Sequence, residues 1–235
     1  MLREIFKYKN VETVAMVDID PVITEIAKSR PVFTALNENS MSDPRLKIIN
    51  ADAFTWLLRR SKNEKLFDAI FIDFPDATDD ALKRLYSREF YMLVKRNLKA
   101  DGIAVVQANI LPSQPHEVIR KTLKEAGLHV LTLHSPPSAA IPDPEGMFDS
   151  AFVVASPSLA VLEELYQAVK NRPLSLPLDL STLNSQNLHQ VLDPYIDTGE
   201  TDSASANSLF RPVHFGFQRG LFTRFLQMSF TPPDS

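Results

Sequence analysis

The sequence predicts an α/β fold, a mostly parallel sheet with helices on both faces and an antiparallel strand near its carboxyl end. Three observations lead there. Short apolar, β-branched runs alternate with segments of helical periodicity from Thr13 to Val169. Phe67 to Ile72 is a mostly apolar run bounded by charge and proline, the pattern of a strand buried on both faces at the centre of a parallel sheet. Acids stand at or just past the ends of three such runs, at Asp18, Asp52 and Asp73.

Taken in order, Leu2, Ile5 and Phe6 share one helical face, so the chain begins in a helix. Thr13 to Val17 is an extended apolar run. Asp20 suits an N-cap and Pro21 the first helical position, and Val22, Ile23, Ile26 and Ala27 are expected to point inward. Asp43-Pro44 marks a turn before the run Leu46 to Ile49. Ala53 to Leu58 then reads as a helix, with Phe54, Leu57 and Leu58 spaced i, i+3, i+4. Pro75 cannot donate to a ladder and biases Phe74 towards an extended conformation, so the central strand ends at Asp73. Ala77 to Lys83 is a polar loop. Ser87 to Leu98 is a helix closed by Ala100-Asp101-Gly102, and Ile103 to Gln107 is a strand. His116 to Ala126 is a helix with Gly127 at its C′ position. Leu128 to Leu133 and Ala151 to Ala155 are strands with no clear helix between them, which favours antiparallel pairing. Leu159 to Val169 is a last helix.

This gives a main domain over 1–158, a helical extension over 159–196, a mobile polar linker over 197–208 and a tail over 209–235 rich in Phe and Arg. The tail is expected to dock on its own domain or a neighbour, with contact to a membrane surface as the alternative.

Composition narrows the function. The chain has 235 residues, 44% hydrophobic and 23% charged, as in an ordinary soluble protein. A net charge of −4 without a basic cluster argues against nucleic acid as a partner. With no Cys, thiolate metal sites, disulfides and Cys nucleophiles are excluded, and the five His show no metal-ligand spacing. No apolar run reaches the roughly 18 residues of a membrane span, and charges interrupt the first residues, so a cytoplasmic protein is expected. Average glycine usage of about 7% would give roughly 16, yet there are 6 and the first is Gly102. No glycine-rich phosphate loop precedes it.

In an open α/β sheet, ligands bind at the carboxyl ends of the strands. An acid at the end of the second strand commonly accepts hydrogen bonds from the ribose hydroxyls of a nucleotide-like ligand, and such ligand binding is one reading of Asp18 and Asp52. Capping or turn formation is the other. Asp20 reads as a cap. Asp73 and Asp76 make a carboxylate pair suited to a cationic or amine substrate, and Asp79 and Asp80 add negative charge that would steer a polycation. Tyr86 and Tyr91 read as core or rim residues near a helix start.

Leu2-Arg-Glu-Ile-Phe-Lys-Tyr8, Val17-Asp-Ile-Asp-Pro21, Ala51-Asp-Ala-Phe54, Ile72-Asp-Phe-Pro-Asp76, Leu85-Tyr-Ser-Arg-Glu-Phe-Tyr91, Lys99-Ala-Asp-Gly102 and Val106-Gln107 occur in this order. As a set they resemble the spermidine synthase (polyamine aminopropyltransferase) family, bacterial branch, over roughly residues 1 to 156. The resemblance implies a Rossmann-like sheet of the S-adenosylmethionine-dependent methyltransferase type. It implies transfer of an aminopropyl group from decarboxylated S-adenosylmethionine, a co-substrate, to a diamine such as putrescine, with no prosthetic group and no metal. On matched positions Asp18 would bind the ribose and Asp52 the adenine, beside Ala53. Asp73 would be the catalytic base. Asp76, Gln107 and Tyr86 would bind the amine substrate. A homo-oligomer is compatible with this, and membrane contact only through a segment upstream of Met1.

The chain also departs from the family pattern. The family's first strand, its Gly-Gly-Gly-Asp-Gly loop and its N-terminal β-domain have no counterpart here. Ala53 replaces a Gly, and Pro144 stands where a substrate-binding Tyr is expected. The expectation is an N-terminally truncated sheet with an exposed strand edge. Two further readings stay open, a non-catalytic binding or oligomerisation module and a methyltransferase for another acceptor.

Overall fold

The structure, a computed structural model, describes residues 1–77, 80–108, 114–135, 150–171, 193–196 and 205–213. The chain forms two compact units. Met1–Lys65 belong to the first, and Leu66–Lys170 with the described residues after Gln190 to the second. The boundary falls inside the stretch read as one domain.

In the first unit, α1 (Leu2–Ile5) leads to β1 (Val14–Asp18), α2 (Pro21–Ser29), α3 (Pro31–Leu36), a 3-10 turn at Ser40–Ser42, β2 (Leu46–Asn50) and α4 (Ala53–Arg59). β1 and β2 pair in parallel, with Val14 beside Leu46 and Asp18 beside Asn50. Arg45 ties the entry to this pair. Its guanidinium donates to the carbonyls of Phe6, Tyr8 and Val11 and to both carboxylate oxygens of Asp43, and lies 4.6 Å from the Phe6 ring centroid. α2 starts where expected, with the Asp20 carboxylate accepting from Val22 N at 2.8 Å and Pro21 in the first turn. Its orientation corrects the expectation. Val22 and Ile23 are exposed, and Thr24 is the buried residue. Thr24 Oγ1 accepts from the Asn50 amide at 3.0 Å, so a polar tie to β2 sets the phase of the helix.

The second unit holds β3 (Phe67–Ile72), α5 (Asp80–Lys83), a 3-10 turn at Arg84–Tyr86, α6 (Arg88–Asn97), β4 (Leu98–Gln107), α7 (Gln114–Glu125), β5 (His129–Ser135), β6 (Ser150–Ser156), α8 (Leu159–Asn171) and β7 (Asp193–Ile196). The sheet order is β3-β4-β6-β5-β7. β3, β4 and β5 run one way, and β6 and β7 run against them. The antiparallel pairing of β5 with β6 is as expected. β7 has no counterpart in the sequence reading.

β3 is the edge strand, not the central one. Among the described residues no strand pairs with its other side, and Asp68, Ala69 and Phe71 are exposed. An apolar run reports burial on average and says nothing about which neighbour supplies it.

β4 is longer than expected. α6 ends at Asn97, and Ala100-Asp101-Gly102 lies within the strand rather than closing the helix. Phe67 pairs with Leu98 but Ala69 with Ile103, so β4 carries an irregularity here. Gly102 makes it possible, because a Cβ there would stand 3.0 Å from the Phe67 carbonyl oxygen and 3.1 Å from that of Asp68.

The core lies in this unit. Leu131, Val154 and Leu162 cluster with Ile103, Val105 and Leu165. Ala104 and Val106, on the opposite face of β4, are fully buried. α7 ends at Gly127, whose φ of +81° is the left-handed conformation of a C′ glycine, and its carbonyl accepts from Lys95 Nζ at 2.6 Å.

Of the expected linker, 197–204 lies outside the described residues, as do 136–149 and 214–235. Asn207 is no linker residue. It is buried, and its N–H donates to Thr122 Oγ1 at 2.9 Å, its amide to the Lys83 carbonyl at 2.7 Å. Its carbonyl accepts from Arg88 N at 2.8 Å, the first N–H of α6. Ser208 Oγ and Leu209 N donate to the two oxygens of Glu89 at 3.0 Å each. The start of the tail therefore docks on its own unit. Among the described residues no helix is long and apolar enough to cross a membrane.

Two outcomes are expected. Gly102→Ala crowds three backbone atoms and should cost about 1–3 kcal/mol of stability by urea melting, as other overpacking changes do. Burial raises the Glu89 carboxyl, but the Leu209 and Ser208 hydrogen bonds and Arg88 outweigh it and hold the group below its ordinary value. Docking stabilisation from this carboxylate is therefore full above about pH 4.3 and fades as pH falls through the lower, folded value. At neutral pH, Glu89→Gln should speed hydrogen exchange of the Leu209 amide by about three- to tenfold. Unchanged exchange would show that Glu89 does not hold the segment.

Candidate active site

The acids occupy the carboxyl edges of two parallel strand pairs, one in each unit. In the first unit Asp18 ends β1 and Asp52 follows β2 by two residues. Ala51 N donates to the Asp18 carbonyl at 3.0 Å, which ties the two strand ends together. Asp18 is half-buried, and its Oδ1 accepts from Asp20 N at 2.8 Å. Asp52 is the N-cap of α4, with Oδ1 accepting from Thr55 N at 2.8 Å and from Thr55 Oγ1 at 2.6 Å. The capping alternative is thus realised at Asp20 and Asp52, and Asp18 and Asp52 both lie at the carboxyl edge of this strand pair. α2 and α4 both begin at this edge, so helix N-termini offset part of the negative charge. Ala53 opens α4. The left-handed backbones among the described residues are Glu38, Asn39 and Gly127, so nothing in the conformation of Ala53 calls for a glycine.

In the second unit Ile72 pairs with Val106, so Asp73 and Gln107 emerge side by side at the carboxyl edge of β3 and β4. Both are exposed, as is Asp76. Between the two acids, Phe74 turns inward. Its ring meets Tyr86 edge-on at 6.1 Å and Phe90 at 5.4 Å, and Phe90 meets Tyr91 at 5.9 Å. Tyr86 lies under this loop with 4% of its surface exposed. Its hydroxyl is 3.0 Å from the Phe74 carbonyl oxygen and 3.1 Å from that of Pro75. Burial, then the charges of Asp76 and Asp73, push the phenol well above its usual range, so it stays a neutral donor. Tyr91 is fully buried and likewise shifted upward by burial and by Tyr86.

Asp80 pairs with Lys83 at 2.9 Å in a largely exposed contact of little energetic weight, and Asp79 lies outside the described residues. Pro144 does too. Among the described residues no group of three or more His, Asp or Glu could hold a metal ion. Sequence reasoning missed Phe74 and Phe90 as the floor of the loop and Asn207 as the brace behind it. Phe74 had a signal, an aromatic residue between two acids. Asn207 had none, being one polar residue in a polar stretch.

Residues 1–157 match the model of the spermine/spermidine synthase domain. Polyamine aminopropyltransferase 1 of Streptomyces coelicolor is 41% identical over 128 residues, which are 54% of this chain and 24% of the relative. Polyamine aminopropyltransferase 2 of Ralstonia nicotianae is 35% identical over 161 residues, 68% of this chain and 30% of the relative. The chain thus matches less than a third of these curated relatives' length. The crystal structure of spermidine synthase from Thermotoga maritima superposes with a TM-score of 0.59 at 19% identity, covering 81% of this chain and 60% of that one. Spermidine synthase in complex with the transition-state analogue AdoDATO gives 0.60 at 19% identity, covering 81% and 61%. The fold is therefore the spermidine synthase fold, with an α/β, mostly parallel arrangement. The match through both acidic strand ends, over two-thirds of the sequence, establishes that this chain belongs to the spermine/spermidine synthase family.

Proposed function

We propose that this chain carries aminopropyltransferase chemistry, moving an aminopropyl group from decarboxylated S-adenosylmethionine to a diamine. The observation that carries the reading is the pair Asp73 and Asp76, two exposed carboxylates flanking Phe74-Pro75 at the end of a parallel strand. An amine substrate is cationic at neutral pH, and two acids bind it at two points.

The residue roles are those that the resemblance to the spermidine synthase family implies for the matched positions. Asp18 accepts from the donor's ribose hydroxyls, and Asp52, with the backbone at Ala53, meets its adenine. The sulfonium is a good leaving group, so the tasks left to the protein are orientation and proton removal. The amine nitrogen attacks the carbon next to sulfur, the carbon–sulfur bond breaks, and neutral methylthioadenosine leaves. Asp73 takes the proton that the nitrogen sheds as it attacks. Asp76 holds the distal ammonium, and the Gln107 amide accepts from the amine beside Asp73. The partners are small molecules, the polyamine substrate and its donor.

Calorimetric titration of the full chain with methylthioadenosine tests the donor side, and micromolar affinity is expected. With putrescine and the decarboxylated donor, Asp73→Asn should lower turnover about 10²- to 10⁴-fold, the range for loss of a general base. It should leave methylthioadenosine affinity within about twofold, as expected for loss of a base that acts only in the transition state. Folded protein that binds neither the nucleoside nor putrescine would sink the proposal.

A further inference from the structure

Resting on the aminopropyl-transfer reading, we propose that Tyr86 is the positioning residue of the amine site, holding the Asp73–Asp76 loop from beneath so that its two carboxylates act as a two-point clamp for a diamine. The hydroxyl contacts the carbonyls of Phe74 and Pro75, the two residues between the acids. One proton shared between two adjacent carbonyls is a three-centre bond, and it orients both peptide planes at once. Pro75 has no N–H, so this stretch offers acceptors to whatever lies beneath it, and a neutral hydroxyl donor is the matching group. The Phe74 ring, edge-on to Tyr86 and Phe90, fills the space below the turn.

Tyr86 is itself held by hydrogen bonds and packing around it. Tyr86 ends a 3-10 turn, and Ser87 caps α6 through its hydroxyl and the Phe90 N–H. The Asn207 amide holds the Lys83 carbonyl at the start of that turn. Phe90 and Tyr91 are buried with it. Above, Asp73 and Asp76 are like charges in water, and an unbraced loop would let them separate. Tyr86 opposes that without touching the substrate, since its hydroxyl faces backbone and its ring faces Phe74. The role differs from substrate binding by Tyr86 itself.

The test compares the wild-type full chain with Tyr86→Phe, which keeps the ring and removes the donor. Putrescine and butylamine are the probes, a diamine and a monoamine of the same length. In Tyr86→Phe, putrescine Kd should rise about tenfold and butylamine Kd about twofold or less, because only the diamine spans both acids. Methylthioadenosine affinity should stay within about twofold. Exchange of the Phe74 and Asp76 amides should speed up. Unchanged putrescine affinity overturns the clamp. So does lost affinity for both amines with unchanged loop exchange, which would make Tyr86 a direct ligand. A merely structural role would lower the melting temperature while sparing the preference for diamine over monoamine. Wild-type protein that binds methylthioadenosine but no putrescine also overturns the clamp, whereas wild-type protein that binds neither overturns the transferase reading instead, an outcome separable because it appears before any substitution.

Discussion

The site depends on the parallel register of β3 and β4, and that register depends on Gly102. The strands start paired at Phe67 and Leu98 and continue at Ala69 and Ile103. Three extra residues of β4 are absorbed where only a hydrogen can face the carbonyls of Phe67 and Asp68. From there Ile72 meets Val106, and Asp73 and Gln107 leave the sheet together. A one-residue slip would turn β4 over and send Val106 out of the core. Core burial of Ala104 and Val106 and placement of the acid are thus one constraint seen from two sides.

Asp18 and Asp52 at these edges each serve the fold through one carboxylate oxygen. Asp52 caps α4 and Asp18 holds the turn into α2, each using Oδ1 on a nearby N–H. Such bonds fix side-chain rotamers, and an acid with a fixed rotamer is a better recognition element than a free one. The loop from Asp73 to Asp76 works differently. Its carboxylates are exposed, and the backbone between them is held by Tyr86 below.

Support for that floor arrives from far along the chain. Asn207 reaches α6, α7 and the end of α5 with four hydrogen bonds counted with the contact from Val213, although it is more than a hundred residues from Lys83. Each of these satisfies a group that helix ends or burial would leave costly. A stretch of polar composition thereby becomes an ordered part of the unit that carries Asp73 and Asp76.

Legibility in the sequence followed the range of the interactions. The bounds of β3, the Asp20 cap with Pro21, the Gly127 helix end and the acids at strand ends were readable because each rests on neighbours within a few residues. The family motifs were readable for the same reason. The sequence by itself therefore determined the α/β class, the alternation of elements and the identity of the acidic edge. Tertiary structure alone decided that β3 stands at an edge, that Thr24 rather than Val22 faces inward, that Gly102 serves a close approach, and that Tyr86 lies under the loop. Those outcomes turn on hydrogen bonds and contacts between residues far apart in the chain, such as Thr24 with Asn50 and Gly102 with Phe67, which local periodicity does not encode.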